Sequence, residues 1–411
     1  MLKNYLKIAI AVLRRRKFFT FISLFGISFT LTILMVTTAF LDKVLRADYP
    51  DLKRDRSLYV TTIELKNSKE GWMNRSDLSF YFLNHYASTL KTVDKMAISS
   101  YAKASNAYVN NKRISIAYKY TNADFWNVLE YKFLEGKPYT QREIDHADHV
   151  AVISEETKEA YFGDAATVVG KYISADNVNY RVIGVVGNVS KTLYSLAGDL
   201  YLPYTVSKEN YKDTGLQGSF NAVLLAKNRV DMAQMQKEFS QMMRKVPIPS
   251  DEYDQLYINA DHFFESMTRR IAGDGQHSGI GKVVAIMSTL VFLFLLLPTI
   301  NLVNINITRI MERSSEIGVR KAFGASSRTL VYQFIVENMI LTFVGGLIGV
   351  FLSLVAIWLL NGSDLIFKLS LSLNLMVLLY SLIACAFFGF LSGVYPAWRM
   401  SKLNVVQALK A

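Results

Sequence analysis

Side chains that could perform catalysis or bind a metal are few and scattered in this sequence. His146 and His149 are spaced as HADH, but two histidines on an acidic loop are fewer ligands than a zinc site needs, which favours solvent-exposed side chains. No Ser/His/Asp or Cys/His constellation can be assigned, so hydrolase activity has no support. We therefore predict a non-catalytic chain without a metal site.

The sequence also contains no phosphate-binding loop motif for a nucleotide. A phosphate-binding loop needs two glycines, a lysine and a following hydroxyl residue at fixed spacing. The Gly-Lys pairs at 136–137, 170–171 and 281–282 lack the earlier glycine and the Ser or Thr. We expect no cofactor on this chain.

The segment Glu312 to Ala325 (ERSSEIGVRKAFGA) is the strongest functional candidate. Glu316 and Arg320 are four residues apart in the order that stabilises a helix, and Gly324 is placed to end it. Mixed charge with a few apolar side chains is what a helix presents to a protein partner. The alternative is a basic loop that only sets membrane topology.

Long apolar runs flank this segment. A hydrocarbon core of about 30 Å needs roughly 20 helical residues, and four runs are long enough. They contain no Lys, Arg, Asp or Glu except Glu337. The predicted spans are Phe18 to Leu41, Val283 to Thr308, Leu330 to Asn361 and Leu369 to Trp398.

Three features within these runs point to helix packing. Pro298 predicts a kink in the second span. The third span contains Gly345, Gly346 and Gly349, and the first and last of these have the small-x-x-x-small spacing of close helix contacts. Glu337 lies within about two turns of the span's predicted cytoplasmic end, so we expect it to meet the interface or a neighbouring helix rather than relay protons.

The charge distribution predicts the orientation. The net charge of +12 resides in residues 1–17, 309–328 and the tail after Trp398, whereas 42–282 is nearly neutral. The excess therefore does not indicate nucleic-acid binding. By the positive-inside rule both termini and the middle loop are cytoplasmic, which agrees with four spans. Cys385 lies within the fourth predicted span, so the outer segment contains no disulfide.

Residues 1–17 have the pattern of an amphipathic helix on the inner membrane surface, although a mere orientation signal is equally compatible. A signal peptide is a competing interpretation of the first apolar run. That run exceeds the usual signal length and no cleavage site follows closely, so we predict a retained span.

The segment 42–282 predicts one large α+β extracytoplasmic domain. Its first part is a β-α-β unit near 57–101, with a strand at Ser57 to Lys66 and a helix from an N-cap at Ser76 to Leu90. A second unit near 220–259 has a strand at Phe220 to Ala226 and a helix at Val230 to Val246.

The insertion between these units, about 103–214, predicts a β-rich subdomain. Two hairpins are expected, around Asn110-Asn111 and Asp176-Asn177, because Asn and Asp tolerate the positive φ of tight turns. Ser154 is expected to cap a short helix that extends to Phe162.

Several of these motifs resemble one known family. The run Asn301 to Gly349, with EIGVRKAFGA at Glu316 to Ala325, is similar to the MacB/FtsX-type ABC transporter permeases, as is the ending YPAWRMSKLNVVQAL from Tyr395. The stretches FWNVLEYKFLEG from Phe125 and VAVIS from Val150 resemble that family's MacB-like periplasmic domain.

This resemblance implies a dimeric permease, with a second copy or a related permease, that works with two cytoplasmic ABC ATPase subunits carrying the ATP and Mg²⁺. The coupling helix of the family, which binds the ATPase, matches nine residues here: Glu312, Arg313, Glu316, Ile317, Gly318, Arg320, Lys321, Phe323 and Gly324. The ATPase is expected on a separate chain.

The family leaves the biological output open. Export or extrusion of a substrate with a periplasmic adaptor is the first expectation. FtsX-like signalling that activates a cell-envelope enzyme and LolC/E-like lipoprotein release are alternatives. A membrane-anchored binding or sensor protein is an alternative of another class.

Overall fold

The computed structural model describes residues 15, 17–109, 112–190, 195–208, 210–312, 318–320, 322–323, 326–362, 371–372 and scattered positions between 375 and 398. The chain falls into two compact units. We call 1–43 with 285–411 the helix unit and 44–284 the sheet unit. The predicted N-terminal amphipathic helix, apart from its last residues, and the tail 399–411 lie outside the described residues.

The described residues form both long apolar helices and short helices between strands. The helices are α1 Lys17–Leu45, α2 Phe80–His85, α3 Phe125–Val128, α4 Gln141–Asp145, α5 Glu155–Phe162, α6 Met232–Met243, α7 Phe263–Ala272, α8 Ile280–Glu312 and α9 Ser327–Gly362. The strands are β1 Ser57–Val60, β2 Ile63–Asn67, β3 Trp72–Leu78, β4 Val93–Ser100, β5 Lys103–Val109, β6 Lys112–Thr121, β7 Phe133–Gly136, β8 Val150–Ser154, β9 Tyr172–Ala175, β10 Val178–Val186, β11 Leu200–Pro203, β12 Gln217–Gly218, β13 Phe220–Ala226 and β14 Gln255–Ile258.

Two stretches of the described helices are long and apolar enough to cross a membrane, Lys17–Leu45 and Val331–Gly362. The apolar part of α8, Ile280–Phe294, is shorter. The fourth predicted span, 369–398, lies largely outside the described residues. Four spans therefore remain a prediction.

The sheet unit contains one sheet that joins strands from distant parts of the sequence. The main order is β14-β2-β3-β13-β4-β6-β11-β8-β10-β7, and β1, β12, β5 and β9 pair with β13, β3, β6 and β10. Most pairs are antiparallel, whereas β10 with β8 and β11 with β6 are parallel. The late strands β13 and β14 pair with β1, β2 and β4, and the strands of the insertion form the other half of the sheet.

Both faces of this sheet are covered by apolar side chains. Ala222 and Leu224 of β13 belong to a core that includes Phe82 and Phe239, which α2 and α6 contribute. Their neighbours Val223 and Leu225 point to a second core rich in aromatic rings. This double burial explains why β13 continues after Phe220 and Asn221 with the unbroken apolar run AVLLA rather than as an alternating strand. The second core contains Tyr59, Phe125, Tyr131, Tyr139 and Tyr201.

The first β-α-β unit differs from the prediction in two ways. The expected strand at 57–66 is two strands, because β1 pairs with β13 whereas β2 pairs with β3 and β14. Ser76 is not a helix cap but pairs with Ile63 in the β2-β3 hairpin. The cap is Ser79, whose hydroxyl accepts a hydrogen bond from Phe82 N at 3.0 Å.

Two local predictions in the insertion are confirmed. Asp176 and Asn177 have φ of 52° and 61°, and they join β9 to β10 in a two-residue turn. The Ser154 hydroxyl accepts from Thr157 N at 3.1 Å and begins α5. The β5-β6 hairpin is present too, although its Asn110-Asn111 turn lies outside the described residues.

Candidate functional site

The side chains of the predicted coupling segment are described at three of its nine residues. Gly318 is buried, Arg320 is half-buried, and Phe323 is 88% exposed. A helical hydrogen bond of 3.0 Å joins Phe323 N to Val319 O. The side chain of Glu312, which ends α8, and the residues Arg313, Glu316, Ile317, Lys321 and Gly324 lie outside the described part of the chain.

Arg320 connects this segment to α9. Its Nη1 donates a hydrogen bond to Gln333 Oε1 at 3.3 Å. Gln333 lies on a buried polar stretch of α9 with Glu337 and Asn338. Glu337 is 1% exposed, so its carboxyl group is inside the helix unit rather than on the surface that would face lipid. The segment is thus tied to the interior of the third predicted span.

Two glycines of α9 lie where it packs on α1. A Cβ at Gly345 would be 2.8 Å from Ile27 Cγ2, and a Cβ at Gly349 would be 2.9 Å from Ser28 O. The Thr32 hydroxyl is 3.3 Å from Gly349 O. Any side chain at these two positions would therefore separate the helices.

Gly346 and Pro298 have different surroundings. A Cβ at Gly346 would meet only Leu382 Cδ2 at 3.9 Å, so this glycine lies outside the α1 contact. Pro298 lies within α8.

A buried arginine, Arg54, binds the carbonyl groups at the end of α1, where the chain enters the sheet unit. Nη1 of Arg54 donates to the carbonyl oxygens of Arg46, Leu45 and Val44 at 2.7, 3.1 and 3.4 Å. Its Nε donates to Asp51 Oδ2 at 2.8 Å, and its Cζ lies 3.6 Å from the centroid of the Phe263 ring. Phe263 is the first residue of α7, which precedes α8. Arg54 therefore joins residues 44–46, at the start of the sheet unit, to the first residue of α7.

Asp51 orients this arginine. Besides Arg54, it accepts a hydrogen bond from the Tyr59 hydroxyl at 2.6 Å. Burial raises the pKa of the Asp51 carboxyl, although the Arg54 charge and the two hydrogen bonds oppose that rise. Arg54 and Asp51 are thus buried in a low-dielectric site, where each charge is stabilised by the other.

Further contacts hold α7 and the segment 273–279 that follows it. Tyr59 and Asp261 exchange backbone hydrogen bonds of 2.8 and 3.0 Å. The Asp261 carboxylate binds Arg269 Nε at 2.6 Å, and Arg269 Nη1 donates to Asp274 O at 2.6 Å. Glu64 accepts from Gly275 N at 3.0 Å. These contacts hold the glycine-rich segment that leads into α8.

The insertion contains a buried lysine whose ammonium group donates to backbone carbonyl oxygens. Lys119 is 0% exposed, and its Nζ donates to Ser100 O at 2.8 Å and to Ser195 O. Burial lowers the pKa of this ammonium group to about 7.

Sequence reasoning missed Arg54, Glu64 and Lys119. Each belongs to a segment with ordinary charge for an exposed loop or an alternating strand, and each has at least one partner that is distant in sequence. A charged residue at an inward position of an alternating strand was the available signal for Glu64 and Lys119. Arg54, in a short turn, had no such signal.

The histidines of the HADH stretch have protein contacts. His146 Nδ1 is 2.8 Å from Arg142 O, and the His149 ring stacks on Tyr180 with centroids 5.7 Å apart. Within the described residues, no group of three or more His, Cys, Asp and Glu side chains could hold a metal.

Comparisons with known proteins cover both units. The model of the MacB-like periplasmic core domain matches residues 20–242, more than half of the chain, and the model of the FtsX-like permease C-terminal region matches residues 288–405. The Bacillus subtilis (strain 168) ABC transporter permease YknZ, itself uncharacterized, is 24% identical over 323 residues, which cover 77% of this chain and 75% of YknZ.

Two longer relatives are ATP-binding/permease proteins. The pyoverdine export protein PvdT of Pseudomonas aeruginosa is 26% identical over 288 residues, which cover 70% of this chain and 41% of PvdT. The macrolide export protein MacB of Escherichia coli O157:H7 is 25% identical over 308 residues, 73% of this chain and 44% of MacB. The chain thus spans less than half of these relatives. With the family models matching both units, the chain belongs to the MacB/FtsX-type ABC transporter permeases and carries a MacB-like periplasmic domain.

Proposed function

We propose that this chain couples ATP hydrolysis by a partner ATP-binding subunit to movement of its periplasmic domain, and that this movement exports or extrudes a substrate. The relatives PvdT and MacB, which are named as export ATP-binding/permease proteins, support the proposal.

The observation that carries the coupling role is the contrast between Phe323 and Arg320. Phe323 exposes 88% of its surface, whereas Arg320, three residues earlier, is bonded to Gln333 of α9. A docking segment needs an apolar anchor that a partner can bury and a firm attachment to the element it moves. The pair has both properties.

The proposed assembly follows from the charge pattern and the family. Four spans in a bacterial inner membrane would place both termini and residues 309–329 in the cytoplasm, where a pair of ATP-binding subunits is available. A second copy or a related permease would complete the membrane part. A periplasmic adaptor or an envelope enzyme would contact the sheet unit.

Copurification from membranes tests the coupling role. We expect Phe323→Ala to reduce the amount of copurified ATP-binding subunit and its ATPase activity by at least about tenfold, since loss of a buried aromatic anchor weakens binding by about 2 kcal/mol, roughly a factor of 30 in affinity. Phe343→Ala is the matched control, because Phe343 is 68% exposed but lies on α9 well beyond the segment.

The negative outcome is equally specific. If wild type, Phe323→Ala and a Glu316→Lys/Arg320→Glu double variant retain the same partners and none hydrolyses ATP, the coupling proposal is wrong. Cross-linking of the periplasmic domain then separates the outputs. Capture of an adaptor supports export, whereas capture of a cell-wall hydrolase supports FtsX-like signalling.

A further inference from the structure

We propose that Arg54 is a positioning residue that joins the two connections between the periplasmic domain and the membrane helices, so that displacement of one is passed to the other. The first connection is the end of α1 with 46–56, and the second is α7 with 273–279. This inference deepens the proposed coupling function and rests on it.

The first half of the joint is a side-chain cap on α1. The last carbonyl groups of a helix have no partner within the helix. Arg54 Nη1 lies 3.4, 3.1 and 2.7 Å from three successive carbonyl oxygens at the end of α1. A cation at this end also interacts favourably with the helix dipole. The end of α1 is therefore attached to the guanidinium group rather than to solvent.

The second half is the aromatic ring that begins α7. The guanidinium carbon lies 3.6 Å from the Phe263 centroid, within the range of a cation–π contact. Arg54 is 8% exposed, so this contact is made away from bulk water and is stronger than at the surface. α7 cannot tilt without moving its first ring relative to the cap of α1.

The surroundings make the joint stiff. Asp51 fixes the guanidinium through Nε, and the Tyr59 hydroxyl fixes Asp51. The Tyr59 backbone pairs in both directions with Asp261, two residues before Phe263. The Tyr59 ring also packs on Phe263 edge to face, with centroids 5.3 Å apart. Two routes, one through side chains and one through backbone, thus connect the same two segments.

The geometry requires arginine rather than any cation. Only a planar guanidinium can stack on a ring while it donates in its plane to carbonyl oxygens and a carboxylate. A lysine at this position would retain the charge but lose either the stack or part of the cap. Arg54 Nη2 is buried and has no hydrogen-bond partner in the described part of the chain, which is a cost that a simple cap would not require.

Hydrogen exchange of the full-length permease in lipid nanodiscs tests the joint. We expect Arg54→Lys to raise amide exchange about tenfold at both 44–50 and 261–275, because the stack and the fixed cap together are worth on the order of 1.4 kcal/mol. Phe263→Leu, which keeps an apolar side chain, should raise exchange at the same two segments. In the double variant Arg54→Lys/Phe263→Leu, the rise in amide exchange should be smaller than the product of the rises in the two single variants, because both remove the same contact.

Arg56→Lys is the matched control. Arg56 lies in the same turn, but its Nη1 donates to Ala226 O and Lys227 O at 3.3 and 2.8 Å, away from α1 and α7. It should leave exchange at 261–275 unchanged. If Arg54→Lys raises exchange only at 44–50, Arg54 is a local cap and the inference is overturned.

The same samples with the ATP-binding subunits report on coupling. Arg54→Lys should retain subunit association and ATP turnover within about twofold but reduce the ATP-dependent exchange change of the periplasmic domain at least fivefold, on the same energetic argument. An unchanged response in Arg54→Lys overturns the inference. If the proposed function itself is wrong, wild type will show no ATP-dependent change, a pattern that differs from a selective loss in the variant.

Discussion

In the sheet unit buried side chains carry charge, whereas the contact between α1 and α9 in the helix unit is built around glycines. Glu64 and Lys119 are 3% and 0% exposed, and each is held by hydrogen bonds to distant segments. At Gly345 and Gly349 the neighbouring helix occupies the space of the missing side chains. Threonines of α1 such as Thr30 and Thr38 donate to carbonyl groups of the preceding turn.

The difference follows from what each unit must satisfy. A helix satisfies its own backbone, so two apolar helices gain most from close approach. A domain with long connections must fix loops that have no backbone pairing of their own, and charged hydrogen bonds provide direction at a cost of desolvation. The stability of the sheet unit should therefore depend on pH and on its buried charges. The stability of the contact between α1 and α9 should depend on side-chain volume.

The largest expected effect concerns Lys119. Its pKa in the folded state is about 7, below the ordinary 10.5, so the unfolded chain binds more protons between these values and stability rises with pH across that window. We expect the free energy of unfolding of the sheet unit to rise by up to about 4 kcal/mol between pH 7 and pH 10, and Lys119→Met should abolish this rise. Lys237 is an exposed lysine of α6, and Lys237→Met should leave the rise unchanged.

The four tryptophans allow the unfolding of the sheet unit and of the helix unit to be followed separately. Trp72 and Trp126 belong to the sheet unit and Trp358 and Trp398 to the helix unit, so Trp358→Phe with Trp398→Phe leaves fluorescence from the sheet unit alone. Urea unfolding of this background at several pH values gives the slope. An unchanged slope in Lys119→Met would mean that other groups determine the pH response.

The next effect concerns Glu64. It receives hydrogen bonds from Gly275 N and Arg75, so Glu64→Gln leaves a partly buried arginine without its charge partner. We expect a loss of about 3 kcal/mol in the sheet unit by the same fluorescence assay. Glu130→Gln, which breaks an exposed pair with Lys53, should cost less than about 1 kcal/mol. Equal losses in both variants would contradict the role of burial.

A volume change tests the helix unit. Gly349→Val places a side chain against Leu31 and Ser28 O and should cost about 2 kcal/mol, typical of overpacking. A Cβ at Gly346 would make only an ordinary van der Waals contact with Leu382 Cδ2, so Gly346→Val should cost much less. Fluorescence of Trp358 and Trp398 in a Trp72→Phe/Trp126→Phe background follows this unit. If the stability lost in Gly349→Val changed strongly with pH, the proposed contrast between the two units would be wrong.

The smallest effect is local. Ser154→Ala removes the hydroxyl that accepts from Thr157 N and should cost about 1 kcal/mol, as other N-cap removals do. Hydrogen exchange at 155–162 should rise while exchange in α9 stays constant. No change at 155–162 would show that packing alone holds α5.

The parts of the fold that depend on neighbours in sequence were predictable. The Asp176-Asn177 turn, the Ser154 cap and the strand at Phe220–Ala226 follow from residues within a few positions, because turn, cap and burial signals act locally. The error at Ser76 arose where two local signals competed. A serine can begin a helix, but strand pairing with β2 determined its conformation.

For the candidate site, the sequence by itself determined the apolar runs, the charge asymmetry and the motif around Glu316 to Ala325, because hydropathy and family motifs are written in contiguous residues. Only the tertiary structure decided that Arg54 caps α1 and contacts Phe263, that Glu64 holds Gly275, and that Lys119 is buried. Glu64 reaches Gly275 beside the pair of β2 with β14, and Lys119 reaches Ser100 because β4 pairs with β6. Arg54 reaches Phe263 beside the bridge between Tyr59 and Asp261. The sequence position of a charge does not reveal its partner, since non-local strand pairing selects it.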